Sequence, residues 1–215
     1  MILNYKTLHS FGEDEIIINK SRFIGYAKPI KDESEAIDFI EEIRAKHRDA
    51  THNVYAYVVG ESNNIQRYSD DGEPSGTAGI PVLDIIKKED LRNVVIVVTR
   101  YFGGVKLGAG GLVRAYIKGA KIGLDAAKIV DKNLFDIIKI SIDYTLHGKV
   151  ENSLMSKDFI IDRIEYDTEV NLIIMTEKER TNDLIDLIRD LTSDNFKSEN
   201  IEEKYFSVID GKIVK

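Results

Sequence analysis

A glycine-rich segment that begins at Arg100 has the composition of an anion-binding loop. Residues 100 to 111 read RYFGGVKLGAGG and follow the apolar run VVIVVT, which is typical of a buried strand. Exposed backbone N–H groups and a helix N-terminus bind anions at such strand-to-helix turns. We therefore predict an anion-binding or nucleic-acid-binding surface that includes Arg100, Tyr101, Phe102, Gly103, Gly104, Lys106 and Gly108. In the alternative interpretation, the glycines only permit a tight turn and close helix packing.

The same segment lacks residues that two common nucleotide-binding motifs require. Gly103 and Gly108 have the spacing of a P-loop, but Ala109 and Gly110 stand where Lys and Ser or Thr would contact phosphate and magnesium. The Gly-x-Gly at residues 108 to 110 also lacks the third glycine of a dinucleotide-binding fingerprint. The sequence therefore predicts no cofactor.

Basic residues concentrate around and after this segment. Residues 92 to 128 contain seven Lys and Arg residues and one acidic residue. A helix is predicted over residues 112 to 128, and on it Arg114, Lys118 and Lys121 follow i, i+4, i+7 spacing on the outward side. The residues expected to face the core are Leu112, Val113, Tyr116, Ile117, Ala120 and Leu124. The outward cations favour contact with an anionic partner.

Two aromatic residues follow Arg100 directly. Tyr101 and Phe102 could stack on the bases of single-stranded RNA. Alternatively, at least one of the two rings packs into the core, because side chains alternate between the faces of a strand.

Carboxylates and a histidine form a second group with potential chemistry. The residue types of a hard-cation site or an acid–base pair are present at His52, Asp70, Asp71 and Glu73. However, Ser-Asp-Asp-Gly is also typical of turns in which Asp side chains accept hydrogen bonds from backbone amides. We favour the turn and predict no metal site, while His52, Asp70 and Glu73 stay candidates for catalysis. Ser75 or Thr77 could be a nucleophile only if His52 lay beside it. The other histidines are interpreted as surface or packing residues: His9, His47 and His147.

Composition restricts the class of protein. A chain of 215 residues with 43% hydrophobic residues can bury two cores and is unlike a disordered chain. The absence of cysteine excludes disulfides, thiolate metal sites and a cysteine nucleophile. No apolar run approaches the roughly 18 residues of a membrane span, and the first residues do not have the pattern of a signal peptide. We expect a cytoplasmic protein that does not contact a membrane.

The net charge of −7 is carried by the second half of the chain. Residues 1 to 130 contain 18 basic and 18 acidic residues, whereas residues 131 to 215 contain 12 and 19. Because phosphate neutralisation needs clustered cations, the second half is not expected to bind nucleic acid non-specifically. Sequence-specific binding to DNA is not expected from either half.

The first half is predicted to mix strands and helices. Strands are predicted over residues 15–18, 22–29, 54–59 and 94–99, of which the last two are buried on both faces. The residues Asp32-Glu33-Ser34-Glu35 have the spacing of a capping box, so a helix is expected from there to about residue 46. The segment 68–81 has the composition of an ordered loop and leads into a helix near residues 82–87.

From about residue 132 the sequence changes character, since no proline follows and glycine becomes rare. We place a domain boundary between residues 129 and 134, which gives domains 1–132 and 133–215. In the second domain, periodicity predicts strands over 138–144, 160–166, 170–175 and 205–209, with helices over 146–159 and around 184–191. This β-α-β-β-α-β order predicts a ferredoxin-like sandwich and an α+β protein of two domains.

Two long motifs resemble the signature of the YigZ/IMPACT family. The first is DDGEPSGTAG at residues 70–79, and the second is VVTRYFGGVKLG at residues 97–108. The resemblance extends over the full length, as an IMPACT-type N-terminal domain of about 130 residues followed by a domain similar to the C-terminal part of elongation factor G. It implies that the first domain has the α/β fold of a small-subunit ribosomal protein and of galactokinase-type kinases, with a role near translation. The resemblance implies that eukaryotic relatives regulate translation by binding a ribosome-associated activator through an additional N-terminal domain, which we do not expect in this protein.

The sequence supports two hypotheses for the function. In the first, this is a translation-associated protein that binds RNA, the ribosome or a translation factor, with Arg100, Lys106, Arg114, Lys118 and Lys121 meeting phosphates. In the second, it is an enzyme whose small phosphate- or carboxylate-bearing substrate lies between the 70–77 loop and the glycine-rich loop. A convex basic face with exposed rings favours the first, whereas a closed pocket at which His52, Asp70 and Arg100 converge favours the second.

Overall fold

The structure is a computed structural model that describes residues 2–209 and 211–214. The described residues form two compact units. The first comprises residues 5–131, and the second comprises residues 2–4 together with the described residues from 132 onward.

Strands and helices up to residue 127 are, in chain order, β1 (Asn4–Leu8), β2 (Gly12–Ile18), β3 (Ser21–Pro29), α1 (Glu33–Lys46), β4 (His52–Val59), β5 (Ile65–Ser69), α2 (Gly79–Lys88), β6 (Val94–Tyr101) and α3 (Ala109–Ala127). Five of the strands form a sheet in the order β2-β3-β6-β4-β5, in which all neighbours are antiparallel. The central position of β6 explains its sequence, because a strand with partners on both edges and helices on both faces has no contact with water.

The side chains of β6 alternate between two cores. Val94, Ile96 and Val98 pack in one core with residues of α2 and α3, while Val95 and Val97 pack in the other with residues of α1. All five valine and isoleucine side chains are fully buried. The helix α1 begins as the capping box predicts, since the Asp32 side chain accepts a hydrogen bond from the Glu35 N–H at 2.9 Å.

Helix α3 lies unusually close to β3 because both carry glycine at the contact. A Cβ added to Gly25 would lie 1.9 Å from the carbonyl oxygen of Gly119, and one added to Gly119 would lie 2.7 Å from Val98 Cγ1. Backbone therefore packs against backbone here, and any larger side chain at Gly25 has to push the helix away from the sheet.

Several predicted elements of this unit differ from the observed ones. Strands β1 and β5 were not predicted, and β5 includes residues that the composition assigned to a loop. Helix α3 starts at Ala109, which is inside the glycine-rich segment. Ile117 was expected in the core but is exposed, because the buried stripe of α3 uses Ala115, Gly119 and Gly123 instead. Small residues are needed on that stripe by the close approach to β3.

The second unit contains β7 (Ile129–Ile142), α4 (His147–Ser156), β8 (Ile160–Tyr166), β9 (Val170–Glu177), α5 (Thr181–Thr192), β10 (Lys197–Ile209) and β11 (Lys212–Val214). Its strands are ordered β11-β10-β7-β9-β8, and both helices contribute to one core with β7, β8 and β9. The order of elements from β7 to β10 is the predicted β-α-β-β-α-β. Strand β11 was not predicted, and β10 begins eight residues earlier than expected because its first part, KSENIEEK, is exposed on both faces and lacks apolar alternation.

The α+β class with two domains is confirmed by these elements and their division. None of the helices in the described part of the chain combines the length and the apolar character that a bilayer crossing requires.

Candidate functional site

The candidate site begins with the register of the two central strands of the first unit. His52 at the start of β4 is the direct partner of Arg100 near the end of β6. These two residues are 48 positions apart in the sequence, and antiparallel pairing places them side by side at one edge of the sheet.

The loop between β5 and α2 is organised by Asp70. Its carboxylate accepts hydrogen bonds from the backbone N–H groups of Gly76 at 2.9 Å, Ala78 at 3.1 Å and Gly79 at 2.8 Å. The structure thus agrees with the turn interpretation of this residue, and Asp70 does not join His52 and Arg100. The acidic residue that joins them is Glu73.

Glu73 and Arg100 form a buried ion pair. The distance from Arg100 Nη1 to Glu73 Oε1 is 2.5 Å, and the two side chains are only 5% and 4% exposed. Tyr116 of α3 donates its hydroxyl to the same oxygen at 2.8 Å. Burial, followed by the negative charge of Glu73, raises the pKa of Tyr116 well above its ordinary value, so this hydroxyl stays protonated. The carboxylate therefore has two donors away from water.

His52 completes the cluster, and its tautomer is fixed by the backbone. Its Nδ1 lies 2.7 Å from the carbonyl oxygen of Asp71, which can only accept a hydrogen bond. Nδ1 therefore carries the proton of a neutral ring, and Nε2 has a free lone pair 3.7 Å from Glu73 Oε1. This is the arrangement of an imidazole that can accept a hydrogen bond or a proton from a ligand.

The guanidinium of Arg100 lies close to two phenyl rings. Its carbon is 5.4 Å from the ring centroids of both Phe23 and Phe102. Nη2 lies 3.4 Å from Ser21 Oγ, and Nε is buried without a hydrogen-bond partner in the described part of the chain. Arg100 was predicted as a phosphate contact, and the structure instead places it inside the protein with its charge balanced by Glu73.

The glycine-rich loop combines the two interpretations of its sequence. Gly103 donates its N–H to Ser21 Oγ at 3.2 Å, and a Cβ on Gly103 would lie 1.9 Å from the Lys20 carbonyl oxygen, so close packing requires this glycine. Gly104 and Gly108 have φ of +83° and +68° with open space around them. Their conformation favours glycine and leaves their backbone accessible.

The two aromatic residues have different environments. Phe102 is 46% exposed and is available for stacking. Tyr101 is half-buried, with its hydroxyl 2.8 Å from Nδ1 of His47. His47 in turn lies 2.6 Å from the hydroxyl of Tyr26, so it is a packing residue as the sequence indicated.

The loop between β5 and α2 and the glycine-rich loop line one cavity of about 380 Å³. Polar lining residues are Thr51, His52, Glu73, Arg100 and Lys106. The remaining lining residues are Pro74, Phe102, Leu107, Gly108, Ala109 and Leu112. The N-terminus of α3 belongs to this wall, and its N-cap residue Gly108 offers no side chain to its N–H groups.

The predicted basic stripe lies on the outer side of α3. Arg114, Lys118 and Lys121 are exposed, as is Lys106 in the preceding loop. None of these four side chains forms an ion pair within residues 2–209 and 211–214. The stripe is therefore free to meet an external anion.

The other candidates have structural surroundings. Ser75 is exposed, whereas the Thr77 hydroxyl donates to the Pro74 carbonyl at 2.6 Å, so neither hydroxyl is bonded to His52. Asp71 accepts from the Asn53 N–H at 2.6 Å. Across the described residues, no three His, Asp or Glu side chains are arranged to hold a metal ion.

Comparison with known proteins identifies the family. The model of the Impact N-terminal domain matches residues 19–124, and that of a domain of unknown function, DUF1949, matches residues 140–195. The IMPACT family member YvyE of Bacillus subtilis is 46% identical over 193 residues, which is 90% of this chain and 89% of that protein. The chain belongs to the IMPACT family.

A second curated relative and one solved structure are also similar to this chain. YigZ of Escherichia coli is 45% identical over 101 residues, or 46% of this chain and 50% of YigZ. A solved structure, described as the crystal structure of a hypothetical protein, is 29% identical with a TM-score of 0.59 and covers 95% of this chain and 100% of its own. The resemblance read from the two motifs is confirmed. All residues that line the cavity lie within the part of the chain that the Impact N-terminal model matches.

Sequence reasoning missed part of the cluster in this IMPACT domain. Tyr116 was assigned to the core, and Ser21 and Thr51 were not considered. For Tyr116 and Ser21 the only signal is that a buried Tyr or Ser needs a hydrogen-bond partner, and for the exposed Thr51 the sequence gives no signal. The partners become apparent only when the strand order is known.

Proposed function

We propose that this IMPACT family protein is a translation-associated regulatory protein that binds RNA, on the ribosome or free, through the exposed cations of α3 and of the loop before it. The observation that carries the proposal is the stripe of Arg114, Lys118 and Lys121, which is exposed and unpaired among the described residues. Lys106 extends this surface toward the glycine-rich loop. Such spacing along one helix suits successive phosphates of a nucleic-acid backbone.

The family resemblance supports a role in translation, and the charge distribution selects the first unit. Residues 131 to 215 carry a surplus of acidic residues, which an RNA backbone repels. Phe102 adds an exposed ring beside Lys106 on which an unpaired base can stack. Arg100 is not part of this surface because Glu73 neutralises it.

Charge reversal tests the proposal. The double variant Lys118→Glu and Lys121→Glu should weaken binding to ribosomes and to single-stranded RNA, because two cations that meet phosphates are replaced by anions. The slope of log K against log salt should become shallower by about 1.4 for single strands, since each lost contact removes about 0.7. Stability should change by no more than about 0.5 kcal/mol, because both side chains are exposed.

The matched control is the double variant Lys87→Glu and Lys88→Glu. Both residues are exposed at the end of α2, and their reversal changes the net charge by the same amount. It should leave the affinity close to that of the wild type. RNA binding that is equal at low and moderate salt and that is indifferent to the Lys118 and Lys121 reversal would contradict the proposal.

A second candidate function, an enzyme acting on a small anionic substrate, has one observation in its favour. His52, Glu73 and Arg100 converge on the cavity between the two loops, and the imidazole Nε2 is free to accept a proton. In this case, substitution of His52 by Gln would abolish turnover, while the Lys118 and Lys121 reversal would have little effect.

A further inference from the structure

We propose that the cavity between the 70–78 loop and the N-terminus of α3 binds a phosphate monoester that carries an apolar or aromatic group. The volume of about 380 Å³ is that of a small-molecule site and accommodates a body of nucleoside size. This site differs from the basic stripe of α3, because the stripe is an exposed row of cations and the site is a cavity with an apolar wall.

One end of the cavity is suited to the phosphate. Gly108 caps α3 without a side-chain hydrogen bond, so the first N–H groups of the helix, beginning with Ala109, have no intrahelical acceptor. Gly108 and Ala109 both line the cavity, as does Lys106. A phosphate at this point would meet the positive end of a helix of 19 residues and one ammonium group.

One buried side chain in the cavity wall has an unused hydrogen-bond donor, which is an observation independent of the helix N-terminus. Arg100 is 95% buried in the cavity wall, yet its Nε has no hydrogen-bond partner in the described part of the chain. His52 Nε2 is held toward Glu73 at 3.7 Å, which is beyond hydrogen-bond distance. Buried polar groups are nearly always paired in native proteins, so Arg100 Nε points to a polar ligand, and the partly exposed His52 Nε2 is accessible to it as an acceptor.

The rest of the wall is suited to an apolar body. Pro74, Phe102, Leu107 and Leu112 supply the lining, and Phe102 already has the Arg100 guanidinium at 5.4 Å from its ring centroid. A planar group on the free face of Phe102 would extend this stack. Glu73 does not repel the phosphate strongly, because Arg100 at 2.5 Å and the Tyr116 hydroxyl at 2.8 Å balance its charge.

Two kinds of ligand contain such a phosphate monoester: a free nucleoside monophosphate and the 5′-terminal nucleotide of an RNA. Adenosine 5′-monophosphate, adenosine and inorganic phosphate are the probes, titrated against the full chain with NMR and calorimetry. The nucleotide should bind at least tenfold more tightly than either fragment and should shift the amide signals of Gly108, Ala109 and Gly110. Failure of all three probes to shift these signals overturns the proposal, as does equal binding of adenosine with and without its phosphate.

Two substitutions test the phosphate end without endangering the fold. Lys106→Gln removes an exposed ammonium group, and Ala109→Pro removes one N–H at the first helical position, where proline is tolerated. Each should weaken nucleotide binding by about tenfold, whereas Lys87→Gln at the exposed end of α2 should have no effect. Nucleotide affinity that is unchanged in both cavity variants, with folding verified by circular dichroism, contradicts the proposal.

The source of the ligand follows from a comparison of two short RNAs. If the terminal nucleotide is the ligand, a 5′-phosphorylated oligonucleotide binds more tightly than its 5′-hydroxyl form, and Lys106→Gln removes the difference. If the free nucleotide is the ligand, the two RNAs bind alike. Because adenosine 5′-monophosphate binding does not involve Lys118 and Lys121, failure of the RNA proposal and failure of the cavity proposal are distinguishable.

Discussion

At the scale of single residues, the first unit is distinguished by charged groups that are buried and paired. Glu73 and Arg100 share one ion pair under a tyrosine hydroxyl, and His52 is oriented by a backbone carbonyl. Removing one member of such a pair leaves an uncompensated charge away from water, which costs more than the intact pair contributes. These residues therefore determine both the shape of the cavity and the stability of the unit.

The ion pair can be tested with a double-mutant cycle. Arg100→Met should lower the free energy of unfolding by about 3–5 kcal/mol, because the buried Glu73 carboxylate loses its cation. Adding Glu73→Gln should recover part of this loss, since no charge is then left unpaired. Urea denaturation of the wild type, both single variants and the double variant measures the coupling. Strictly additive losses would show that the pair does not interact in solution.

His47 predicts a pH dependence. Burial, reinforced by Lys46 and Arg22, lowers the pKa of His47 below its ordinary value, against a smaller opposite effect of nearby acidic groups. The unfolded chain then binds a proton near pH 6.5 that the folded chain does not. The stability due to neutral His47 is complete above about pH 6.5 and is lost as the pH falls toward the lower folded pKa.

The matched variant for this measurement is His47→Gln. Its free energy of unfolding should fall less than that of the wild type between pH 7.5 and pH 5.5, values that bracket the ordinary histidine pKa of about 6.5. Parallel curves for the two proteins would show that His47 titrates alike in both states.

At the scale of elements, the contact between α3 and β3 depends on glycine. Gly25→Ala should destabilise the first unit by about 1–3 kcal/mol or more, because the new methyl group would meet the Gly119 carbonyl oxygen at 1.9 Å. The control is Gly110→Ala in α3, because a Cβ at Gly110 would meet only the end of the Arg114 side chain at 3.7 Å. That change should raise stability by about 0.5–1 kcal/mol. Equal thermal midpoints for the two variants would contradict the close packing.

Elements with strong periodicity were predictable from the sequence, and elements stabilised only by their neighbours were not. The apolar run of β6 and the capping box of α1 are recognisable from the local sequence alone. Strand β5, IQRYS, has no apolar alternation and exists because β4 supplies its hydrogen bonds. Gly119 and Gly123 of α3 disfavour a helix in isolation, but the close packing of α3 on the sheet requires them.

The sequence identified most residues of the candidate site but did not show which of them contact each other. The composition of two loops identified His52, Glu73, Arg100 and Lys106 as candidates. The composition did not show that Asp70 accepts hydrogen bonds from the backbone of its own loop, whereas Glu73 forms an ion pair with Arg100. That distinction arises from the strand order β6-β4-β5, which is a property of the whole sheet.

At the scale of the molecule, the division into two units leads to a test by separate expression. Residues 1–132 should unfold in one cooperative thermal transition, because both cores of the first unit lie between residues 5 and 131. Residues 133–215 should be less stable alone than in the full chain. They lose the Leu134 N–H bond to the Leu3 carbonyl and the Tyr205 hydroxyl bond to the Ile2 carbonyl. If neither fragment gives a cooperative transition in calorimetry, the proposed boundary is wrong.

The assignment of residues 2–4 to the second unit also orders events during synthesis. The first unit is a continuous stretch that can fold once residue 131 has left the ribosomal tunnel. Leu3 can pair with Leu134 soon after the first unit is translated, but Ile2 must wait for its partner until Tyr205 is translated. A label attached beside Ile2 would therefore report on the formation of β10, although Ile2 precedes the whole first unit in the sequence.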